Sequence, residues 1–361
     1  MKYIRELEGL RGMMALWVVV GHTFASMPMI HRKLPPALMN TYAVDVFIML
    51  SGFVIFFMMN NKKLTYLVFI TQRLFRIFPI YLFALIVSLL LIPYTEQSLH
   101  LLTSSPSTIR RLEIIAHFYE HPIFHFLSHI LLLQGLVPNS VANDGAYTIL
   151  GQSWSVSLEW QFYLIAPLLF IALCSLDNKR NILILTITSA FLIIIGMFLT
   201  GGFIGGKLGM FSIGFLSFFF YKDYASKLSA SELMCLYFII SILSLSILKM
   251  DAIPMLIWFT TFYFVLLKQN ENNNSLVSRL LDSTPILYLG KISYSIYMLH
   301  MIVLYFSMRL SMYCGFSKGM NYFLIPMITI FITIIVSTIT YYIIENPMIK
   351  FGKKITQKNE I

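Results

Sequence analysis

Long apolar runs separated by short polar stretches make up most of the chain. Many of these runs reach roughly 18 residues or more, the length that an α-helix needs to cross the hydrocarbon core of a bilayer. The pattern therefore predicts an all-α integral membrane protein, with about ten transmembrane helices in a single domain over residues 1–349. The predicted spans are 10–30, 41–60, 77–94, 154–175, 181–200, 203–221, 232–248, 252–268, 286–309 and 322–344.

One apolar segment, residues 124–137 ("FHFLSHILLLQGLV"), is too short to cross a bilayer as a helix. Pro122 stands just before this segment, and proline fits the first turn of a helix but not its interior. We therefore expect a new helix to start there, lying at the outer interface of the membrane or re-entering it.

The composition agrees with a membrane protein, and the charges predict its orientation. Of the 361 residues, 58% are hydrophobic and 12% are charged, about half the usual charged fraction of a soluble domain. The net charge of +10 is divided among small clusters between apolar runs, which is typical of membrane orientation and not of nucleic-acid binding. Placing both termini in the cytoplasm puts most of the 26 lysines and arginines on that side. Residues 350–361 would then form a short basic cytoplasmic tail.

Two ionisable residues of the first predicted helix, Arg11 and His22, stand eleven positions apart. Eleven residues make about three helical turns and a rise of about 16 Å, so both side chains lie on one helix face. Arg11 is then near the cytoplasmic headgroups and His22 near mid-bilayer, where an ionisable group is costly and indicates a functional site. The alternatives are a snorkelling anchor for Arg11 and a hydrogen-bonded structural histidine for His22.

Six motifs are distributed over nearly the whole chain. They are "LEGLRGMMALWVVVGH" (7–22), "AVDVFIMLSGFVI" (43–55), "RLFRIFPIY" (73–81), "QSWSVSLEWQFYLIAPLL" (152–169), "LGKISYSIYMLH" (289–300) and "IENP" (344–347). Together they resemble, in the same order, the motifs of the acyltransferase family 3 membrane proteins. Each motif alone is weak, but six in order are specific.

The resemblance implies an enzyme that moves an acyl group, usually acetyl, from cytoplasmic acetyl-CoA to a carbohydrate on the far side of the membrane. Arg11, Arg73 and Arg76 would hold the phosphates of this acetyl-CoA co-substrate. Arg73 and Arg76 stand at i and i+3, so both can face one phosphate group. Positive-inside anchoring is the alternative role for these two arginines.

The catalytic set implied by the resemblance is His22 with Arg11 and Glu159. His22 suits general-base catalysis, in which it takes the proton of a sugar hydroxyl that attacks the thioester, and a covalent acyl-histidine is a chemical alternative. For the acidic residues Asp45 and Glu159, the alternative role is structural hydrogen bonding. For the aromatic residues Trp154 and Tyr163, it is anchoring at the membrane interface. The residues expected to bind the acceptor are Asp45, Trp154, Ser155, Tyr163, Tyr297 and His300, of which His300 could also relay a proton.

Four histidines recur at every fourth position in "HFYEHPIFHFLSH", residues 117–129. Such spacing on one helix face can bind zinc. The helix break expected at Pro122 leaves only His125 and His129 on one face, and the three cysteines lack metal-site spacing. We therefore expect no metal.

The expected partners are acetyl-CoA, a carbohydrate acceptor that could be lipid-linked, and the lipid bilayer of the bacterial cytoplasmic (inner) membrane, without nucleic acid. The acceptor would be a surface polysaccharide such as lipopolysaccharide O-antigen, capsule or exopolysaccharide. The main alternative is a transporter or flippase of a lipid-linked glycan, which predicts broken helices and an internal repeat; no repeat is visible in the sequence. A glycan polymerase or ligase is a third class. The sequence leaves the oligomeric state open.

Overall fold

The computed structural model describes residues 4–26, 40–62, 64–101, 106–175, 179–199, 201–271, 275–315 and 318–358. Within these ranges most residues are helical and none lies in a strand, which confirms the all-α prediction. The ends of two predicted segments, residues 27–30 of the first span and 359–361 of the tail, lie outside the described ranges. The helices in chain order are α1 (Arg5–Ala25), α2 (Asn40–Asn61), α3 (Tyr66–Leu90), α4 (Ile92–Leu101), α5 (Pro106–Glu120), α6 (Pro122–Ile130), α7 (Trp154–Cys174), α8 (Lys179–Gly196), α9 (Leu208–Asp223), α10 (Ala230–Leu248), α11 (Ile253–Glu271), α12 (Leu276–Leu281), α13 (Thr284–Lys291), α14 (Ser293–Tyr313), α15 (Lys318–Thr340) and α16 (Asn346–Lys358).

Eight helical stretches of the described chain are long and apolar enough to cross a membrane. One of them, α8, buries none of its side chains against protein and exposes isoleucine, leucine and phenylalanine, as a lipid-facing helix does. The eight stretches are Asn40–Asn61, Tyr66–Leu90, Gly151–Cys174, Lys179–Gly196, Ile204–Asp223, Ala230–Asn270, Ser293–Tyr313 and Gly319–Gln357.

The predicted count of about ten differs from these eight for two reasons. The stretch Ala230–Asn270 has 41 residues and contains two predicted spans, which form α10 and α11. Helix α1 is not among the candidates of the described chain, because four charged residues in its first two turns and His22 near its end lower its mean hydropathy. The cytoplasmic position of both termini stays a prediction.

The short helix expected near residues 124–137 is present as α6, which has nine residues and cannot span a bilayer. Pro122 occupies its first turn after His121, as the sequence predicted. The chain then turns, and a 3-10 helix, Gln134–Leu136, follows.

Several helix boundaries differ from the predicted spans. Helix α3 begins at Tyr66, ahead of the predicted 77, so Arg73 and Arg76 lie inside the helix and not before it. The predicted span 286–309 is divided at Ile292 into α13 and α14. The start of α3 differs because one helix face can carry polar residues without loss of helical structure, whereas a hydropathy pattern excludes such residues from a span.

The chain packs into two compact units. The first unit comprises Met1–Gly21, Leu34–Asn61 and Gly209–Tyr294, and the second comprises His22–Lys33, Lys62–Leu208 and Ser295–Ile361. This grouping does not test the predicted single domain over residues 1–349, which stays a prediction.

Aromatic rings and close glycine contacts hold the first unit together. The ring of Phe53 on α2 lies 5.9 Å from Trp258 and 5.8 Å from Phe262, both on α11. Gly52 lets α2 approach α9 closely, since a Cβ there would lie 2.7 Å from the carbonyl oxygen of Phe211. Ring packing and small residues at helix crossings are the usual stabilising contacts of membrane helix bundles.

In the second unit, α16 packs along α3. A Cβ on Gly352 would lie 2.6 Å from the Cβ of Phe75, whose ring also meets Phe351 at 5.4 Å. The side chain of Gln72 donates a 3.0 Å hydrogen bond to Thr356. The described part of the predicted tail is therefore an ordered helix packed on a core helix.

Candidate active site

Two histidines from different helices meet in the second unit. His22 lies in the last turn of α1 and His300 in the third turn of α14, and their ring centroids are 5.2 Å apart. His300 is fully buried, whereas His22 is half-buried. Two imidazoles at this separation can both act on one bound substrate.

The ring of His300 is held in one tautomer by its neighbour on the helix. Its Nδ1 lies 2.8 Å from the carbonyl oxygen of Tyr297. Because a carbonyl oxygen only accepts, we assign the proton to Nδ1 and the lone pair to Nε2. Nε2 is buried without a hydrogen-bond partner within the described residues. Nε2 of His300 can therefore accept a proton in the interior of the second unit, next to His22.

A hydrogen-bond clamp joins α14 to the start of α7. The hydroxyl of Tyr297 donates to the carbonyl oxygen of Gln152 at 3.0 Å and lies 2.7 Å from the hydroxyl of Ser155. The side chain of Gln152 in turn donates to the carbonyl oxygen of Met298 at 2.8 Å. The structure thus brings the predicted residues Tyr297, Ser155 and His300 together, and it adds Gln152 as the residue that fixes their helices.

The predicted residues Glu159, Tyr163 and Arg73 form a second group in the same unit. The hydroxyl of buried Tyr163 donates to a carboxylate oxygen of Glu159, one turn earlier on α7. The guanidinium of Arg73 lies 5.7 Å from the centre of the Tyr163 ring, a cation–π arrangement. Glu159 also interacts electrostatically with Tyr297, which connects the two groups.

A continuous line of polar side chains therefore crosses the second unit. We call it the polar path, and each member interacts with the next through a hydrogen bond, a ring contact or an electrostatic interaction. Its members in order are Arg73, Tyr163, Glu159, Tyr297, His300 and His22.

Four cations gather at the Arg73 end of the polar path. Lys353 on α16 lies within electrostatic range of Lys62, Arg73 and Arg76. We call these four residues the cationic cluster. Like charges repel one another, so their proximity favours the binding of a multiply charged anion such as a diphosphate.

An arginine that the sequence analysis did not single out lies at the opposite end of the polar path. Arg111 on α5 donates a 2.8 Å hydrogen bond to the hydroxyl of Ser26, just after α1. Its guanidinium lies 5.6 Å from the centre of the Tyr305 ring on α14. Arg111 thus contacts both chain segments that carry the two histidines.

The structure does not group the remaining predicted residues with the polar path. Arg11 belongs to the first unit, where it lies 4.0 Å from the carboxylate of Glu8. Asp45 is buried in the same unit and interacts electrostatically with Tyr42. Trp154 starts α7 in the second unit with a half-buried side chain. The roles of these three residues stay predictions.

The histidines of the 117–129 stretch hold α5, α6 and the following loop together. His117 lies 2.9 Å from the carboxylate of Asp144, which also accepts from Arg110 at 2.6 Å. Nε2 of His129 lies 3.0 Å from the carbonyl oxygen of Gly145. Burial lowers the pKa of His129 to about 3, so this imidazole is neutral at physiological pH. Among the described side chains no group of three or more possible ligands could hold a metal ion.

Sequence reasoning missed Arg111 and Lys353 for different reasons. Arg111 stands beside Arg110 in "TIRRLE", where nothing in the sequence distinguishes the two arginines. Lys353 lies in α16, whose apolar residues Phe351 and Ile355 recur at helical spacing between lysines. That amphipathic pattern is the signal that predicts a packed helix here.

Comparison with known proteins identifies the family of this chain. The chain is 25% identical to the protein named O-acetyltransferase OatA in Staphylococcus aureus strains NCTC 8325 / PS 47, COL and MRSA252. Each alignment covers 98% of this chain and 58% of the relative, so the chain spans little more than half the length of these curated relatives. No solved structure matches. The sequence model described as "Acyltransferase domain" matches residues 4–342, nearly the whole chain, and the protein therefore belongs to acyltransferase family 3.

Proposed function

We propose that this acyltransferase is a membrane O-acetyltransferase that moves acetyl from cytoplasmic acetyl-CoA to a hydroxyl of a cell-surface polysaccharide. The observation that carries the proposal is the polar path, which joins the cationic cluster to His22 and His300 within one compact unit. The curated relatives named O-acetyltransferase support acetyl as the acyl group and oxygen as the acceptor atom.

The donor half of the proposal rests on the cationic cluster. Coenzyme A carries a diphosphate and a further phosphate, and arginine binds such groups through paired, charge-assisted hydrogen bonds. Arg73 and Arg76 lie one turn apart on α3, and Lys353 approaches them from α16. On the predicted topology these residues face the cytoplasm, where acetyl-CoA is available.

The catalytic half rests on His22 and His300. In the proposed reaction His22 accepts the proton of the attacking hydroxyl, and the hydroxyl oxygen bonds to the thioester carbon. Nε2 of His300 offers a second acceptor for a hydrogen bond from the sugar. Tyr297 and Ser155 hold α14 against α7, so the His300 ring keeps its position while substrate enters.

Acceptor recognition is proposed for the predicted acceptor residues of the second unit, which are Trp154, Ser155, Tyr163, Tyr297 and His300. The hydrogen bonds of His117, His125 and His129 join α5 and α6 to the loop that leads to Trp154. A bacterial cytoplasmic membrane location follows from the proposed donor and acceptor, since the two substrates lie on opposite sides of that membrane.

The proposal is tested by deleting the gene in its native strain and restoring it as wild type, His22→Ala or His121→Ala. His121 is the matched control, because it is exposed at the start of α6. We expect base-labile acetate on the surface polysaccharide to disappear in the deletion and in His22→Ala, and to return with His121→Ala, while the amount of polysaccharide stays normal. Undiminished acetate in His22→Ala at normal protein abundance would contradict the general-base role. Loss of the whole polysaccharide would favour glycan transport, and altered chain length would favour a polymerase or ligase.

A further inference from the structure

The proposed reaction develops a negative charge that the polar path does not neutralise. As the hydroxyl oxygen bonds to the thioester carbon, its proton passes to His22 and the carbonyl electron pair moves onto the carbonyl oxygen. The oxyanion then collapses, the carbon–sulfur bond breaks, and the thiolate of CoA leaves with the proton from His22. Enzymes gain much of their rate by holding a cation or N–H donors where such an oxyanion forms.

Arg111 contacts the two chain segments that carry the proposed catalytic histidines. The hydroxyl of Ser26 accepts from Nη1 of Arg111 and donates to the carbonyl oxygen of His22 at 2.7 Å. On its other side the guanidinium packs over Tyr305 on α14, the helix that carries His300. These contacts orient a planar cation between the helices of the two histidines.

The charge of Arg111 has no counter-ion in the described part of the chain. Its neighbour Arg110 pairs with Glu113 at 3.1 Å and with Asp144 at 2.6 Å. Arg111 instead has a serine hydroxyl and a ring as its described side-chain partners, and its charge acts on both His22 and His300. A half-buried cation without a described counter-ion is suited to stabilise an anion that forms near it.

We propose that Arg111 is a catalytic residue that stabilises the oxyanion of the tetrahedral intermediate beside His22. This inference rests on the proposed acetyl transfer at the same site. Arg111 acts on the reacting carbonyl oxygen, whereas the cationic cluster binds the phosphates of the donor. Loss of Arg111 therefore affects the chemical step, and loss of the cluster affects donor binding.

The experiment uses everted membrane vesicles from the native strain with the chromosomal gene deleted and a full-length variant supplied. Radiolabelled acetyl-CoA is added at increasing concentration, and ester-linked label in the polymer is divided by the amount of immunodetected enzyme. Arg111→Gln and Arg111→Met are expected to lower the maximum rate about 10²- to 10³-fold and to change KM for acetyl-CoA by less than about threefold. The matched control Arg110→Gln removes an exposed arginine that has carboxylate partners, and its maximum rate is expected to stay within about threefold of wild type.

Ser26→Ala separates a chemical role from a structural one. It removes the hydrogen bond that holds Arg111 to Ser26 but keeps the charge, so we expect a loss of less than about fivefold. A loss equal to that of Arg111→Gln would overturn the proposal, because Arg111 would then act by positioning the segment from His22 to Ser26.

Two further results would overturn the proposal. One is a maximum rate within about threefold of wild type in either neutral variant at normal abundance. The other is a raised KM with an unchanged maximum rate, because Arg111 would then bind a charge already present in the donor or acceptor. The absence of label with wild-type enzyme would instead contradict the proposed function, and this inference with it.

Discussion

Replacing His129 with glutamine should make the free energy of unfolding depend less on pH under acidic conditions. His129 is fully buried in α6, where desolvation lowers its pKa to about 3 despite the hydrogen bond to Gly145. In the unfolded chain its pKa returns to about 6.5. Between these two values the unfolded state binds the proton and the folded state does not, so the free energy of unfolding falls as the pH falls.

The size of this effect follows from the two pKa values. At pH 7.5 the imidazole is neutral in both states and contributes almost nothing to pH dependence. At pH 5 the unfolded state is favoured by about 2 kcal/mol, since that pH is about 1.5 units below the unfolded pKa and each unit corresponds to about 1.4 kcal/mol. The loss grows as the pH falls further and is complete below about pH 3. Glutamine does not titrate, and its amide can still donate to the carbonyl of Gly145.

The assay is the thermal unfolding midpoint of purified protein in detergent, followed by intrinsic fluorescence at pH 7.5 and pH 5. The wild-type midpoint should fall by about 2–3 °C more between these pH values than that of His129→Gln, since the unfolding entropy of a chain of this length gives about 1.3 °C per kcal/mol. His121→Gln, which changes an exposed histidine at the start of α6, should shift as the wild type does. Equal shifts in wild type and His129→Gln would refute the reasoning, because the folded and unfolded states would then not differ in proton binding at His129.

Three other predictions test the site and the packing. Arg76→Gln and Lys353→Gln should each raise KM for acetyl-CoA about tenfold with little change in maximum rate, since each removes one charge-assisted phosphate contact worth about 1.5 kcal/mol; an unchanged KM in initial-rate measurements would count against the cationic cluster. His300→Gln should lower the maximum rate about 10²-fold or more in the labelled-vesicle assay, and a rate near wild type would exclude a role in the chemical step. Gly12→Ala should reduce the monodisperse fraction on size-exclusion chromatography, because its Cβ would lie 2.5 Å from a backbone nitrogen of α13, an overlap that costs about 1–3 kcal/mol; Gly209→Ala, at a position with open space, should behave as wild type, and equal yields of the two variants would contradict the contact.

The long apolar runs predicted most helices well, because a spanning helix must be apolar over most of its length. Helix α8 shows this best: all its side chains remain outside the protein core, and the predicted span 181–200 nearly matches Lys179–Gly196. The start of α3 could not be predicted in this way. Arg73 and Arg76 lie on one face in the third and fourth turns of this helix, and the hydropathy pattern placed the start of the span after these charged residues.

The motifs contain all six residues of the polar path, but they do not show how these residues are connected. His22 and His300 are far apart in sequence, and the 5.2 Å between their rings depends on how the helices pack. The different partners of Arg110 and Arg111 also depend on tertiary structure. Both arginines stand on α5, and only the fold turns one toward Asp144 and the other toward Ser26.

The central claim is that the enzyme transfers acetyl from the cytoplasmic donor to the outer polysaccharide, with His22 as the general base. It is tested most directly with right-side-out vesicles that enclose radiolabelled acetyl-CoA and display the polysaccharide outside. The account predicts ester-linked label on the outer polysaccharide with wild-type enzyme and none with His22→Ala at equal abundance. Label that appears equally with His22→Ala, or that never reaches the outer polysaccharide with wild-type enzyme, would contradict the account.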